Sequence, residues 1–193
     1  ILMSEQLISR VEGTTLSRLR RAAKLLFVER GYHETRPQDI AREAGVASGT
    51  FYLHFADKQQ AFLDFAEQAQ NELLSMMGER LRSVEGRRER WQVTCAALLD
   101  FGDVNPGLLQ AAFIDPVFMA PQDANAWQVY DRLGHMVRLA LEEEHTDFDC
   151  ELISHGLCGF LRHAMIYAGR RDLDREKMIR DLGNFIERGL RVG

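Results

Sequence analysis

Apolar residues recur at spacings of three and four along most of the chain, which predicts amphipathic helices. The first such helix is predicted from about Leu16 to Arg30. Thr14 or Thr15 can cap its start, and Gly31 can adopt the left-handed conformation that ends it. The positions that form its apolar face are Leu16, Leu19, Ala23, Leu26 and Phe27.

Two short helices are predicted next, from Pro37 to Ala44 and from residue 47 or 48 to Phe55. Proline suits a first helical position, because its missing N–H would be unpaired there in any case. Gly45 supplies the turn between the two helices. Two short helices joined by a tight glycine turn and packed on a first helix form a helix-turn-helix.

Helical patterns continue to the end of the chain. Asp57 with Gln60 has the spacing of a capping box, so a fourth helix is predicted to begin there and to run to about Arg82. Alternating patterns of strand length are missing, and so are the usual hairpin dipeptides. We therefore predict an all-α fold. The further predicted helices are Arg88–Phe101, Leu108–Ile114, one from Pro121, one from Asp147 or Asp149 to Tyr167, and one capped by Asp174.

The composition is that of a globular protein. Hydrophobic residues make up 46% of the 193 residues and charged residues 27%. Charges interrupt every apolar stretch, so we expect no membrane span. The first nine residues lack a basic region followed by an apolar run, so no signal peptide is expected. Three irregularly spaced cysteines predict neither a disulfide framework nor a zinc site, and they favour a cytoplasmic location.

Charge is unevenly distributed. Residues 1–58 hold nine Lys/Arg against seven Asp/Glu, a net +2, whereas the remainder holds 15 against 22, a net −7. A mildly basic N-terminal region followed by an acidic remainder is typical of a protein in which only the N-terminal region contacts phosphate groups.

The second short helix has the chemistry of a helix that reads DNA. The stretch from Ala47 to Thr50 is small and polar, so the backbone can approach base edges. Val46, Phe51 and Phe55 can form a buried back face. Tyr52, His54 and Lys58 supply donors for phosphate oxygens.

These residues resemble the DNA-binding domain of the TetR (tetracycline repressor) family of transcriptional regulators. The matching residues are Ala23–Phe27, Gly31, Tyr32, Thr35, Ile40–Val46, Gly49–Tyr52, His54, Phe55 and Lys58. The resemblance covers about residues 16–65. It implies a helix-turn-helix domain, which we place at residues 10–57, followed by a helical-bundle domain for ligand binding and dimerisation at residues 58–193.

The resemblance implies a role for several of these residues. Gly49 and Thr50 would lie at bases or nearby phosphates, whereas Tyr52, His54 and Lys58 would contact phosphates. Ser48 occupies a variable position that often reads a base. The complete predicted DNA-binding set is Thr35, Arg36, Ser48, Gly49, Thr50, Tyr52, His54 and Lys58.

Three positions depart from the family pattern. Arg36 replaces the usual Ser or Thr cap of the second helix, and Pro37 replaces an apolar residue. Ala47 stands where a Ser usually caps the recognition helix, a loss of about 1 kcal/mol unless Ser48 takes over and shifts the helix start by one residue. These changes leave the operator sequence open.

The helix from Cys150 to Tyr167 is apolar on several faces, and a helix of that kind must be buried on all sides. A partner subunit would provide this burial in a four-helix bundle, although a central helix of a monomeric bundle would have the same pattern. The predicted homodimer interface comprises Leu152, Gly156, Gly159, Phe160, His163, Leu182, Phe185 and Ile186.

Bulky residues of the middle helices are candidates for an effector pocket, although each would look the same in an ordinary core. They favour a small, mostly apolar effector. The candidates are Trp91, Phe101, Phe113, Phe118, Met119, Trp127, Tyr130 and Met136.

Other classes of function have less support. His155 and His163 lie eight residues apart, but no further ligands converge, so we predict no metal site. We find no nucleophile motif and no phosphate loop, and predict neither catalytic residues nor a cofactor. The main hypothesis is a repressor released from a palindromic operator by its effector. An activator, a ligand-binding module without DNA function and a helical enzyme remain alternatives.

Overall fold

The computed structural model describes residues 13–114, 124–143, 148–171 and 173–190, and every regular element in those ranges is helical. The α-helices are α1 Thr15–Glu34, α2 Pro37–Glu43, α3 Ser48–Phe51, α4 Lys58–Leu81, α5 Arg87–Val104, α6 Ala124–Glu143, α7 Cys150–Ala168 and α8 Arg175–Gly189, with a π-helical segment at Gln110–Ile114. The predicted all-α class is confirmed. In these ranges no helix combines the length and the apolar character that a membrane crossing needs.

Side-chain caps set several helix starts as predicted. Thr14 accepts a hydrogen bond from the Ser17 N–H at 3.2 Å. Asp57 accepts from the Gln60 N–H at 2.8 Å, while the Gln60 side chain accepts from the Ala56 N–H. The predicted capping box is therefore present, with its return bond one residue earlier than in the usual form.

The same kind of local bond starts the last two helices. Asp149 accepts from the N–H groups of Glu151 and Leu152, and Asp174 accepts from the Lys177 N–H. Asp174 was predicted as a cap, and Asp149 was one of two residues, with Asp147, that were predicted to open its helix.

Several helices end at other residues than the sequence predicts, and the differences matter most for α1 and α3. Gly31 has φ 76° as expected, but helical residues continue beyond it to Glu34. The third helix ends at Phe51 rather than at Phe55. Ala47 occupies its N-cap position without a side-chain cap, so the suggested shift of the start, with Ser48 as cap, is wrong.

The described residues fall into two compact units. One comprises residues 13–68 and 110–114, and the other comprises residues 69–109 and the described residues from 124 onward. The boundary between residues 57 and 58 stays a prediction. In the first unit α2 packs on both α1 and α3, and the π-helical segment packs on α1.

The second unit is built from two helix pairs, α5 with α8 and α6 with α7. Its core consists of Trp91, Cys95, Leu141, Leu161, Ile186 and Leu190. The buried side chain of Gln70 donates a 2.8 Å hydrogen bond to the Val129 carbonyl and so ties α4 to α6 within this unit. Arg175 at the start of α8 forms ion pairs with Asp100 and Asp103 of α5.

Helices α5 and α8 lie close together at Gly183. A Cβ atom added there would lie 2.6 Å from Gln92 Cγ and 3.0 Å from the Gln92 backbone nitrogen. Because backbone cannot move aside as a flexible side-chain end can, glycine is needed at this crossing.

We expect Gly183→Ala to lower the free energy of unfolding by about 1–3 kcal/mol, the usual cost of overpacking a core. Chemical denaturation followed by circular dichroism measures this change. Gly189→Ala is the matched control on the same helix, because its added Cβ meets nothing within 4 Å. The control should be neutral or stabilising by up to about 1 kcal/mol. Equal stability of the two variants would contradict the proposed crossing.

Candidate nucleic-acid interface

An aromatic cluster joins α1 to the start of α4. The ring of Phe27 lies 5.2 Å from that of Phe62 and 5.5 Å from that of Phe65, and the Tyr32 ring lies 5.3 Å from Phe62. Phe27, Phe62 and Phe65 are buried. Arg20 adds a two-pronged bond from α1 to Asp64 of α4, with N–O distances of 2.6 and 3.0 Å. This bond raises the pKa of Arg20.

The short α2 and α3 helices are anchored by a few buried side chains. Ile40 and Ala41 of α2 and Phe51 of α3 are fully buried, and Phe55 is nearly so. The rings of Phe51 and Phe55 lie 5.4 Å apart. Of the predicted back face of this helix, Phe51 and Phe55 are buried whereas Val46 is half-buried, and the other face is directed outward.

The turn between α2 and α3 is held by a residue that the sequence analysis did not single out. The Arg18 guanidinium of α1 donates to the carbonyls of Ala44 at 2.5 Å and Gly45 at 2.9 Å. Gly45 has φ 65°, and a Cβ atom there would lie 2.8 Å from Arg18 Nη2. The turn therefore needs glycine both for its backbone conformation and for the space that Arg18 occupies.

The outward face of α3 carries most of the predicted DNA-binding residues. Ser48, Gly49, Tyr52 and His54 are exposed, and Thr50 is half-buried. A Cβ atom added at Gly49 would meet nothing within 4 Å, so the space above this residue is open to a ligand. The structure brings these five residues together over two successive turns.

Two further residues of the predicted DNA-binding set, Thr35 and Arg36, precede α2 rather than lie on α3. Arg36 is exposed at the N-cap of α2 and makes no side-chain capping bond there, as the departure from the family pattern suggested. Thr35 is fully buried, and its hydroxyl donates to the carbonyls of Gly31 at 2.8 Å and Leu26 at 3.2 Å. Its assignment to the DNA-binding set is therefore corrected: the hydroxyl satisfies backbone carbonyls near the break in α1.

The side chain of Lys58 interacts with other groups of the protein. Its Nζ donates to the Tyr32 carbonyl at 2.8 Å and lies 4.2 Å from the centre of the Tyr32 ring. Burial lowers the pKa of Lys58. This side chain thus fastens the start of α4 to the end of α1, and its predicted contact with phosphate stays a prediction.

Comparison with known proteins identifies this arrangement. The sequence model of the group described as "Bacterial regulatory proteins, tetR family" matches residues 19–64, which include α2, the Gly45 turn and α3. This family model matches the chain over those residues, and the curated and structural neighbours include transcriptional regulators of the tetR family. Its family relatives are transcriptional regulators rather than enzymes.

Curated relatives match parts of this chain. The HTH-type transcriptional activator FasR of Mycolicibacterium smegmatis is 34% identical over 42% of this chain and 36% of its own length. The fatty acid metabolism regulator protein of Bacillus subtilis is 30% identical over 36% of each chain. The uncharacterized regulator YdgC of Bacillus subtilis is 26% identical over 76% of each chain. This chain thus spans about a third of two of these relatives and three quarters of the third.

Solved structures share the fold over nearly the whole chain. The fatty acid degradation regulator FadR from Bacillus halodurans has a TM-score of 0.69 at 18% identity, covering 94% of this chain and 98% of that protein. FadR from Bacillus subtilis in complex with stearoyl-CoA has a TM-score of 0.70 at 15% identity, covering 91% of this chain and all of that one. These likenesses show the tetR-family fold, including a helical second domain.

The predicted dimer residues divide into an exposed set and a buried one. Leu152 is 68% and Phe185 64% exposed. Phe185 of α8 stacks on Phe160 of α7 with ring centres 5.2 Å apart. Gly156, Gly159 and His163 are also exposed, and Leu182 is half-buried.

Ile186, in contrast, is only 2% exposed and lies in the core of its own unit. Its assignment to an interface is therefore wrong, because its apolar surface is already covered within one subunit.

The predicted pocket residues do not form one cluster among the described residues. Trp91 lies in the second unit's core and Phe101 is also buried there, whereas Phe113 is buried in the first unit. Trp127 and Tyr130 of α6 lie together with ring centres 5.9 Å apart, and burial raises the pKa of Tyr130. Phe118, Met119 and the side chain of Met136 lie outside the described residues.

Candidate metal ligands do not converge in the described part of the chain. His155 Nε2 lies 3.8 Å from Asp131 Oδ1, and His163 is exposed. Across residues 13–114, 124–143, 148–171 and 173–190, no three His, Cys, Asp or Glu side chains gather as a metal site requires.

We expect Arg18→Met to destabilise the helix-turn-helix, because the carbonyls of Ala44 and Gly45 lose their donor. The loss should be about 1 kcal/mol, a value below that of buried charged hydrogen bonds because Arg18 is exposed. Urea denaturation measures it. The matched control is Arg30→Met, at the opposite end of the same helix. If Arg18→Met were as stable as the control, the clamp on the turn would contribute nothing.

Proposed function

We propose that this chain is a sequence-specific, homodimeric transcriptional regulator, a repressor released from a palindromic operator by a small, mostly apolar effector. The observation that carries the proposal is the outward face of α3. Small and hydrogen-bonding residues are exposed there, and buried Phe51 and Phe55 fix the helix from behind. A helix with this division suits insertion into the major groove of DNA.

The exposed residues fall into two sets, one suited to contact phosphates and the other suited to contact base edges. Tyr52, His54 and Arg36 carry donors that contact phosphates, and such contacts fix the position of the protein without reading sequence. Ser48 and Thr50 are short hydrogen-bonding residues that reach base edges. Gly49 leaves room for the backbone to approach the groove.

A homodimer is supported by the exposed apolar surface that α7 and α8 share. Leu152, Phe160 and Phe185 contribute to it, and the exposed Gly156 and Gly159 allow a second helix to approach. Two subunits related by a twofold axis would present their α3 helices to successive major grooves, about 34–36 Å apart. The operator is then palindromic.

An apolar effector is supported by the character of the relatives. The fatty acid metabolism regulator and FadR are named for fatty acids, and one FadR structure holds stearoyl-CoA. In this chain exposed Trp127 and half-buried Tyr130 place two adjoining aromatic rings on α6. An effector that binds the DNA-incompetent conformation more tightly lowers operator affinity, with a typical coupling of about 1–3 kcal/mol.

The direct test is a selection of random duplex DNA on the purified full chain, followed by fluorescence anisotropy of the selected duplex. A palindromic sequence, bound by two chains and released at higher salt, is the expected result. Titration of this complex with a long-chain acyl-CoA should then lower the anisotropy. Failure to enrich any sequence at low salt would refute DNA reading, and insensitivity to acyl-CoA would refute this effector class.

Within that assay we expect Tyr52→Phe and Ser48→Ala to differ in kind. Tyr52→Phe removes a phosphate donor, so affinity should fall about tenfold for all duplexes alike, with an unchanged salt dependence because the hydroxyl is uncharged. Ser48→Ala should instead change the preferred base at one position of each half-site. A changed base preference in Tyr52→Phe, or a uniform loss in Ser48→Ala, would contradict the assigned roles.

We expect Leu152→Asp to convert the dimer into monomers, because it places a charge in the apolar surface shared by α7 and α8. Light scattering after size-exclusion chromatography measures the molar mass. Val104→Asp is the control, since it places the same charge on a residue that is 75% exposed and lies on α5. A Leu152→Asp protein that remained dimeric would show that this surface is not the interface.

A further inference from the structure

Leu53 is the most exposed large apolar side chain in the described part of the chain. Its exposed fraction is 82%, and it lies between Tyr52 and His54, which are exposed and polar. Leu53 is not among the residues that the sequence predicts to bind DNA. Apolar surface stabilises a fold only when it is buried, so this side chain contributes little to stability and is available for contact with a partner.

The backbone places Leu53 on the same side as a predicted base-reading residue. The Leu53 N–H donates to the Thr50 carbonyl at 3.3 Å, and the His54 N–H donates to the Phe51 carbonyl at 3.0 Å. The end of α3 is therefore followed by turns with bonds from residue i to residue i+3. In turns of this kind side chains three residues apart align, so Leu53 lies on the side of Thr50, a predicted base-reading residue.

The surface over Gly49 in α3 is open, because an added Cβ atom there would meet no atom of the described residues within 4 Å. The buried rings of Phe51 and Phe55 hold the opposite side of the turn. With an exposed fraction of 82%, Leu53 thus projects into solvent, away from the core of the first unit.

The chemistry of Leu53 restricts its partner in the major groove. Its side chain has no hydrogen-bonding group, so it can recognise neither a phosphate nor the polar edge of a base. The apolar feature that a base pair presents in the major groove is the C5-methyl group of thymine.

We propose that Leu53 is a specificity-determining residue that contacts a thymine C5-methyl group and so selects an A·T pair in each operator half-site. This inference rests on the proposed function, because it requires α3 to enter the major groove. It adds apolar recognition to the hydrogen bonds assigned to Ser48 and Thr50.

The test uses the duplex selected by the wild-type protein. Each thymine is replaced in turn by deoxyuridine, symmetrically in both half-sites, which removes one methyl group and leaves base pairing unchanged. Affinities of the wild type, Leu53→Ala and Leu53→Met are measured by fluorescence anisotropy. Leu25→Ala is the matched control, because Leu25 is an exposed leucine on α1 of the same unit.

At one thymine we expect deoxyuridine to weaken wild-type binding about fourfold for each half-site, the equivalent of about 0.8 kcal/mol for one methyl group removed from water. Leu53→Ala should lose a similar factor on the thymine duplex and show no further loss with deoxyuridine. Leu53→Met, which keeps an apolar side chain, and Leu25→Ala should retain the discrimination of the wild type.

Additive effects of deoxyuridine and Leu53→Ala at every thymine would overturn the inference, and so would a selected operator without an A·T pair in its half-sites. A uniform loss of affinity in Leu53→Ala on all duplexes would assign Leu53 to the sugar–phosphate backbone instead. In these cases the proposed function would stand. If no duplex were enriched at all, the proposed function would be wrong and this inference would fall with it.

Discussion

The first unit depends on the burial of Phe27 against Phe62 and Phe65. These three rings join α1 to the start of α4, which are separated in sequence by the whole helix-turn-helix. Helices of seven and four residues, such as α2 and α3, are too short to be stable alone. They acquire a fixed position only because Ile40 and Phe51 are buried in the same unit.

Hydrogen bonds from polar side chains then fix the positions of the helix ends, which apolar contacts alone do not determine. Arg18 fixes the carbonyls of the Gly45 turn, Thr35 satisfies carbonyls at the break in α1, and Lys58 binds the Tyr32 carbonyl. Each bond connects a side chain to the backbone at the end of a helix, where carbonyls have no partner inside the helix. Apolar contacts bring the helices together, and these bonds set their angles.

The sequence predicts most of the fold, because the decisive bonds are local. The caps at Thr14, Asp149 and Asp174 are visible as a polar residue before an apolar pattern, and all three are present. The prediction fails where contacts between residues far apart in the sequence determine where a helix ends. The helical spacing of apolar residues continues through Phe55, yet α3 ends at Phe51. Phe51 and Phe55 are both buried although the residues between them form a turn, so the spacing of apolar residues alone does not distinguish a helix from a turn here.

The candidate site shows the same limit. Exposure of Ser48, Tyr52 and His54 follows from the spacing of the buried Phe51 and Phe55. The Arg18 bond to the turn joins residues 26 and 27 positions apart, and no sequence pattern marks it. Thr35 and Ile186 were misassigned for a related reason, since a polar residue can be buried by its own backbone partners and an apolar one by its own core.

The absence of a side-chain cap at Ala47 has an evolutionary consequence. The start of α3 depends on no hydroxyl or carboxylate at that position, and its attachment rests on Phe51. Residues on the outward face can therefore be exchanged with little effect on folding. A duplicated copy of this gene could change its target sequence by a few substitutions at the surface of α3, without first acquiring mutations that restore stability.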